Sequence, residues 1–330
     1  MNQTLPPSVD HVATDAETLA LFGGVYSNYL ALEAAIHDAL QRGAERLYCL
    51  GDLGAFGPHP DRVFPLLRKH GVICLQGNYD DSIGNARDDC QCGYTDPRDN
   101  YYAQISYEYT LRNTSDANRE FLRSLPPQRR ERWGNREVLM CHGSPRRVNE
   151  FLWESTTSTA FLERLCEQHR ADTIFATHTG IKWTRQLSRE RQFVNVGALG
   201  RPEHDGRTEV WYTLVKHLGL VHRASQGSPA MEARPVAETR AATLPPLEVQ
   251  FVPVQYDFRR LAEEMRSEQL PEAFVETILT GWWTTCREVL PSKERLRPGR
   301  LAKVPPFPPI GRIGLEKGRA TADGTRYDKR

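Results

Sequence analysis

The sequence predicts an α/β protein built on parallel strands. Three observations carry this: short apolar runs that stop at glycine, stretches of helical spacing between them, and polar residues recurring beside those terminal glycines.

Residues 1–17 are polar, contain Pro6-Pro7 and read as a flexible N-terminal arm. Residues 18–22 form a compact apolar run, the first core strand, which breaks at Gly23-Gly24; residues 25–28 follow as a loop. Over residues 29–42, Leu32, Ala35, Ile36 and Leu40 recur at helical spacing, and Gly43 closes the helix. Residues 47–50 are a second buried strand. It ends at Gly51-Asp52, in a loop where Gly54, Gly57, Pro58 and Pro60 forbid both helix and strand. A helix over 61–70, entered through Pro60 and left through Gly71, leads to a short strand over 72–75 ending in Gly77-Asn78-Tyr79-Asp80. Strand–helix–strand–helix–strand is the pattern of a parallel sheet with helices packed outside.

Cys90-Gln91-Cys92 lies in a polar loop; without a second cysteine pair it makes no structural zinc site. Helices are expected over 101–112 and 116–125. Residues 129–133 and 136–140, joined by Gly134-Asn135, predict a hairpin whose second strand runs into Cys141-His142-Gly143. A helix over 159–169 precedes a buried strand over 173–176, which ends in Thr177-His178-Thr179-Gly180. Further strands are expected over 193–197, 209–215 and 248–254, and helices over 257–267 and 272–279. Residues 224–246, rich in Ala, Pro, Glu and Arg without a period, read as a disordered insert. The predicted organisation is a domain over 18–257, a C-terminal helical extension over 258–294 and a basic, Pro-rich tail over 295–330. Trp282-Trp283 reads as packing the extension onto the core, and the tail as a solvated terminus rather than a nucleic-acid arm.

Composition narrows the function. Apolar content of 39% with 26% charged residues fits a globular chain, and a net charge of +1 gives no electrostatic case for nucleic acid or membrane. No apolar stretch is long enough to span a bilayer, and residues 1–7 lack the features of a signal peptide. Seven cysteines argue against a disulfide framework and for a cytoplasmic setting.

The chemistry lies in a repeated arrangement. Gly23-Gly24, Gly51-Asp52, Gly77-Asn78, His142-Gly143 and His178-Thr179-Gly180 each stand just past a buried strand. Asp52 alone reads equally as a turn residue, and a lone strand-end histidine as structural. Together, Asp52, Asn78, His142 and His178 make an N/O ligand set suited to a divalent transition metal.

In these residues the chain resembles the calcineurin-like metallophosphoesterases, whose pattern is Asp-x-His, Gly-Asp, Gly-Asn-His-Asp, His-Gly and Gly-His-x-His. Order, spacing and intervening helices match from about Thr18 to Asp257. Gly54-Ala55-Phe56-Gly57-Pro58-His59-Pro60, Gly143-Ser144-Pro145 and Asn195-Val196-Gly197-Ala198 are similar to the small bacterial and archaeal phosphodiesterase branch. The resemblance implies a four-layer α/β/β/α sandwich with metal ions at the carboxyl edge of its sheets. The implied chemistry is phosphoester hydrolysis by metal-activated water.

Two departures change the expectation. Gly24-Val25-Tyr26 stands where the family has Asp-x-His, and Gly180 replaces the last histidine. The three missing groups are the family's ligands for one metal, while Asp52, Asn78, His142 and His178 match those for the other. The resemblance therefore implies a single ion, with Mn, Fe, Ni and Zn all compatible, unless Tyr26, Asp80 or His59 rebuilds a second site. Tyr79 stands at the family's usual histidine. With a phenol pKa near ~10 it can donate a proton but is a poor base, and it reads equally as a buried ring with a bonded hydroxyl. Tyr26 carries the same two readings. Asp52, Asn78, His142, Tyr26 and Tyr79 are the candidate catalytic residues. Asn28, Arg146, Arg147 and Arg201 are candidate substrate contacts, the arginines reading either as solvated loop residues or as phosphate binders that partly replace a lost metal's charge. The expected function is hydrolysis of a small phosphorylated or nucleotide-like molecule. The alternative is a binding or regulatory protein that keeps the fold and has lost hydrolysis.

Overall fold

The alternating runs fold into two facing sheets. The structure, a computed structural model, describes residues 12–218 and 247–295. One sheet orders its strands as β11 (Leu247–Val254), β10 (Val210–His217), β2 (Thr18–Phe22), β3 (Arg46–Cys49) and β4 (Ile73–Cys74). Its β2, β3 and β4 are parallel, and β10 and β11 extend it antiparallel. The other orders β1 (Val12–Thr14), β5 (Gln128–Trp133), β6 (Arg136–Cys141), β7 (Thr173–Ala176), β9 (Gln192–Val196) and β8 (Lys182–Gln186).

Both faces of each central strand are buried, which is why the strands read as unbroken apolar runs. Along β2, Leu19 and Leu21 point into the space between the sheets, where they meet Tyr48, Leu50, Trp133, Met140, Phe175 and Val194. Ala20 and Phe22 point outward under α1 (Tyr29–Gln41), α2 (Val63–Lys69), α7 (Phe258–Ser267) and α8 (Glu272–Thr280). On the far side, α6 (Thr159–Gln168) sets Leu162, Leu165 and Cys166 on Leu139, Ile174 and Phe193. The result is the expected four-layer α/β/β/α sandwich. Each such apolar side chain contributes roughly 1.5–3 kcal/mol on burial, so these layers hold the strand ends firmly. The C-terminal extension shares the outer core through Leu261, Met265, Phe274 and Ile278.

Several elements differ from expectation. The segment read as a loose arm contributes β1, whose backbone pairs in parallel with β5. Strand β8 is an edge strand in which only Trp183 is buried, so its sequence shows no apolar alternation. The residues after Gly77 open a helix at once, α3 (Asn78–Gly84), ahead of α4 (Pro97–Asn113) and α5 (Asp116–Ser124). Cys90 and Cys92 are joined in a disulfide, a local link rather than a framework, and the five other cysteines are free and buried. A short helix α9 (Ser292–Arg295) ends the described chain. The insert expected over 224–246 and the tail beyond Arg295 lie outside the described residues. Among the described residues no helix is long and apolar enough to cross a membrane.

Candidate metal centre

Four loops converge where the two sheets meet. Asp52 follows β3 and Asn78 opens α3 just past β4, both on the five-stranded sheet; His142 follows β6 and His178 follows β7 on the six-stranded one. The carboxyl ends of parallel strands thus deliver every group. Glycine permits the close approach: a Cβ at Gly51 would lie 2.3 Å from the Gly77 nitrogen, and one at Gly77 2.2 Å from Asp52 Oδ1. Asp52 (φ 58°) and His178 (φ 69°) are both left-handed, a conformation costing roughly 1–3 kcal/mol that survives only where the surroundings enforce it. Asp80 supplies part of that enforcement. Its carboxylate accepts the backbone N–H groups of Asp52 (2.7 Å), Gly77 (2.8 Å) and Leu53 (2.9 Å). Burial pushes this carboxyl up to about 6. Both of its oxygens accept from the backbone, so Asp80 braces the two loops.

The ligand geometry follows from hydrogen-bond chemistry. His142 Nδ1 lies 2.7 Å from the Leu50 carbonyl; a carbonyl can only accept, so the proton sits on Nδ1 and Nε2 faces inward. That Nε2 is 3.2 Å from Asp52 Oδ2 and 3.2 Å from His178 Nδ1. Asp52 Oδ1 accepts from the Tyr79 backbone at 3.1 Å. The Asn78 amide donates through Nδ2 to the Cys90 carbonyl at 2.8 Å and lies 3.4 Å from Cys92 Sγ, while its Oδ1 is buried without a hydrogen-bond partner. Burial would raise the Asp52 carboxyl, but His142 and His178 together hold it below the ordinary carboxylate range. Burial opposes a charged His142, yet Asp52 raises it, while burial and then His142 push His178 down to about 3, keeping it neutral.

These residues fit a divalent ion. Ligand atoms of Asp52, His142 and His178 lie within 4.8 Å of one another, as bonds of about 2.0–2.2 Å to one ion require. The orphaned Asn78 Oδ1 is a fourth donor, the second oxygen of the set, at the same edge, and the inward Nε2 of His142 beside the Asp52 carboxylate suits a cation, whether metal ion or proton, between them.

The two departures from the family pattern are filled by this chain's own side chains. A Cβ at Gly24 would lie 2.5 Å from the Tyr26 ring, which folds back over that glycine. A Cβ at Gly180 would lie 3.2 Å from the Trp283 indole and 3.7 Å from Arg201 Nη2. Arg201 stacks 3.6 Å over the Trp283 ring, with Tyr26 and Phe56 at 5.8 and 5.7 Å.

The other named residues separate clearly. Tyr79 and Tyr26 line the cavity beside Asp52 and His178, both buried, and burial raises both phenols. The Tyr79 hydroxyl is held by the Ala103 carbonyl and Ser106 Oγ, each at 3.3 Å. Arg201 lines the same cavity. Asn28 is not among the residues lining the cavity: its Oδ1 caps α1 through the Ala31 N–H, and its Nδ2 donates to the Gly200 carbonyl. Arg146 is exposed, paired with Glu150 and stacked on Phe161, and Arg147 is exposed as well. His59 stands between Glu264 and Glu268 at 3.9 Å each, outside the ligand group. The cavity walls also include Phe56, Cys92, Tyr102, Ser106, Phe274 and Cys286. Only Phe56 was within a stretch whose sequence pointed to the site; the others carry no local signal that separates a pocket wall from ordinary core.

Comparison with known proteins agrees with this geometry. Residues 19–217 match the family model described as the calcineurin-like phosphoesterase superfamily domain. An uncharacterised protein of Methanocaldococcus jannaschii is 22% identical over 279 residues, covering 80% of this chain and 98% of its own. A metallophosphoesterase structure from Sphaerobacter thermophilus superposes with a TM-score of 0.56 at 22% identity, covering 81% of this chain and 99% of that one. A hypothetical protein of Pyrococcus horikoshii gives 0.60 at 19% identity, covering 80% and 98%. With the family model spanning more than half its length, the chain belongs to the calcineurin-like phosphoesterase superfamily.

Proposed function

We propose that this chain is a metal-dependent phosphoesterase working with a single divalent transition metal, Mn, Fe, Ni or Zn, on Asp52, Asn78, His142 and His178. One observation carries the reading: the positions of the absent ligands are occupied by the Tyr26 ring over Gly24 and by Trp283 with Arg201 beside Gly180. That packing crowds the positions a second ion's ligands would take, and it brings a guanidinium close to them, which supports the single-ion reading.

A bound ion would polarise a phosphoryl oxygen and make water a competent nucleophile near neutral pH. The chain's own groups do the rest. Asp52 is kept ionised and His178 neutral, so both are in their ligating forms. His142 is locked in one tautomer by the Leu50 carbonyl. Arg201, lining the cavity with Tyr26 beside it, would take a non-bridging phosphoryl oxygen. In the net reaction the oxygen of water bonds to phosphorus as the bond to the leaving oxygen breaks. The water's proton passes to that oxygen, yielding an alcohol and phosphate.

One observation favours the alternative, a binding protein that has lost hydrolysis. Tyr79 stands at the family's histidine position, and its hydroxyl is tied to α4, which removes a mobile proton donor from the leaving-group side. Metal analysis of the purified full chain, with turnover on phosphomonoesters and diesters and Asp52→Asn as control, decides between them. The proposal expects about one ion per chain and turnover abolished by Asp52→Asn. Two ions, or turnover indifferent to Asp52, would sink it.

A further inference from the structure

We infer that the pocket beside the metal ligands selects a compact phosphomonoester dianion, and that Arg201 and the roof formed by the C-terminal extension make that selection. This rests on the phosphoesterase reading and adds the substrate class to it.

Size comes first. The cavity that Asp52, Asn78 and His178 share with Arg201 measures about 40 Å³, room for roughly three waters and so for one phosphoryl group. Every residue lining it is buried except Tyr94, which is half-buried. Rings from three separate regions set the limit. Phe56 comes from the Gly-rich loop, Tyr102 from α4 and Phe274 from α8, with Phe274 centred 4.9 Å from Phe56 and 5.9 Å from Tyr102.

The extension that supplies Phe274 and Cys286 to the lining is anchored beside it by Trp283, which stacks on Arg201. Trp283 donates its backbone N–H to His204 Nδ1 at 2.9 Å and its indole N–H to the Pro202 carbonyl at 2.8 Å. Gly281 sits against the backbone of Arg207, where a Cβ would come within 2.0 Å. A phosphodiester carries a second organic arm that a space of this size does not house. A monoester carries one.

Charge points the same way. Arg201 is only 8% exposed, its Nε has no hydrogen-bond partner, and no carboxylate lies within ion-pair distance of it among the described residues. A buried cation left without a counter-ion is costly, and the Trp283 face offsets only part of that. Of the side chains lining the cavity, Asp52 alone is acidic. With a divalent ion in place, the ion and Arg201 against Asp52 leave two formal positive charges. A monoester dianion neutralises them; a diester monoanion does not.

The test reads binding separately from turnover. Metal-loaded full chain is titrated calorimetrically, above the second pKa of methylphosphonate, with methylphosphonate as the small dianion and with its monomethyl ester as the corresponding monoanion. The inference expects the dianion to bind at least 30-fold tighter. It expects Arg201→Met to erase that preference with metal content unchanged, and Cys286→Gly to narrow it by loosening the roof; Phe274→Leu serves if the glycine variant does not fold. Equal binding of the two ligands, or a preference untouched by Arg201→Met, overturns it. Turnover of phenyl phosphate against its diphenyl ester then tests the catalytic reading on its own. Dianion preference without turnover of any ester leaves the pocket assignment standing and removes the hydrolase. Turnover favouring the diester does the reverse.

Discussion

Two halves of one pocket share the same sheet edge and have gone opposite ways. On the side of Asp52, Asn78, His142 and His178, polar atoms converge within ligand distance, and Asn78 Oδ1 is left buried without a partner. On the side of Gly24 and Gly180, the ligand positions carry no side chain, and the space is taken by Tyr26, Trp283 and Arg201. The first half is arranged as a cation site would be. The second carries a guanidinium and is packed like core. On the single-metal reading proposed above, aromatic rings fill the space beside the two glycines and Arg201 brings a positive charge to it.

The largest effect that would break this contrast is on the ligand side. His178→Ala should strip the metal, measured by elemental analysis, and lower turnover by more than the roughly 10–100-fold typical of a supporting group; an unchanged metal content would place the ion elsewhere. Next is an attempt to convert the packed half back. Gly24→Asp drives a Cβ to within 2.5 Å of the Tyr26 ring, so it should destabilise by about 1–3 kcal/mol as overpacking does, read from the denaturant midpoint. It should also fail to add a second ion. Asn28→Ala comes third. Losing the α1 cap should cost about 1 kcal/mol and leave KM unchanged, whereas a raised KM at equal stability would return Asn28 to the substrate. The smallest effect belongs to His59→Gln. Its partners Glu264 and Glu268 are partly solvated, so a change within about 0.5 kcal/mol and no change in bound metal are expected.

The ligand half was legible in the sequence because each ligand follows a short apolar run closed by glycine, and that local pattern survives any tertiary arrangement. Asp80 shows where local reading stops. As a carboxylate two residues from Asn78 it reads as a possible ligand, and only the structure shows that its oxygens accept from the backbone of Asp52, Leu53 and Gly77. Asn28, Arg146 and Arg147 also sat in loops near the right edge. The structure puts Asn28 at the cap of α1 and Arg146 and Arg147 at solvent-facing positions, none of which a loop sequence alone shows. Strands β1 and β8 were missed because edge pairing needs backbone groups rather than an apolar pattern.

The sequence by itself determined the parallel strands, the helices between them and the strand ends that bear the candidate ligands, because burial on both faces imposes apolar runs and tight turns impose glycine; the four-layer sandwich was what the family resemblance implied. It also determined that two ligand positions are empty of side chains. What occupies that space was decided by the tertiary structure alone. Trp283 lies about a hundred residues beyond Gly180 in the chain, and Phe274 joins Phe56 and Tyr102 from three separate elements. Such contacts depend on how the C-terminal extension docks. Docking is set by summed packing over many side chains and leaves no signature at the residues that happen to meet.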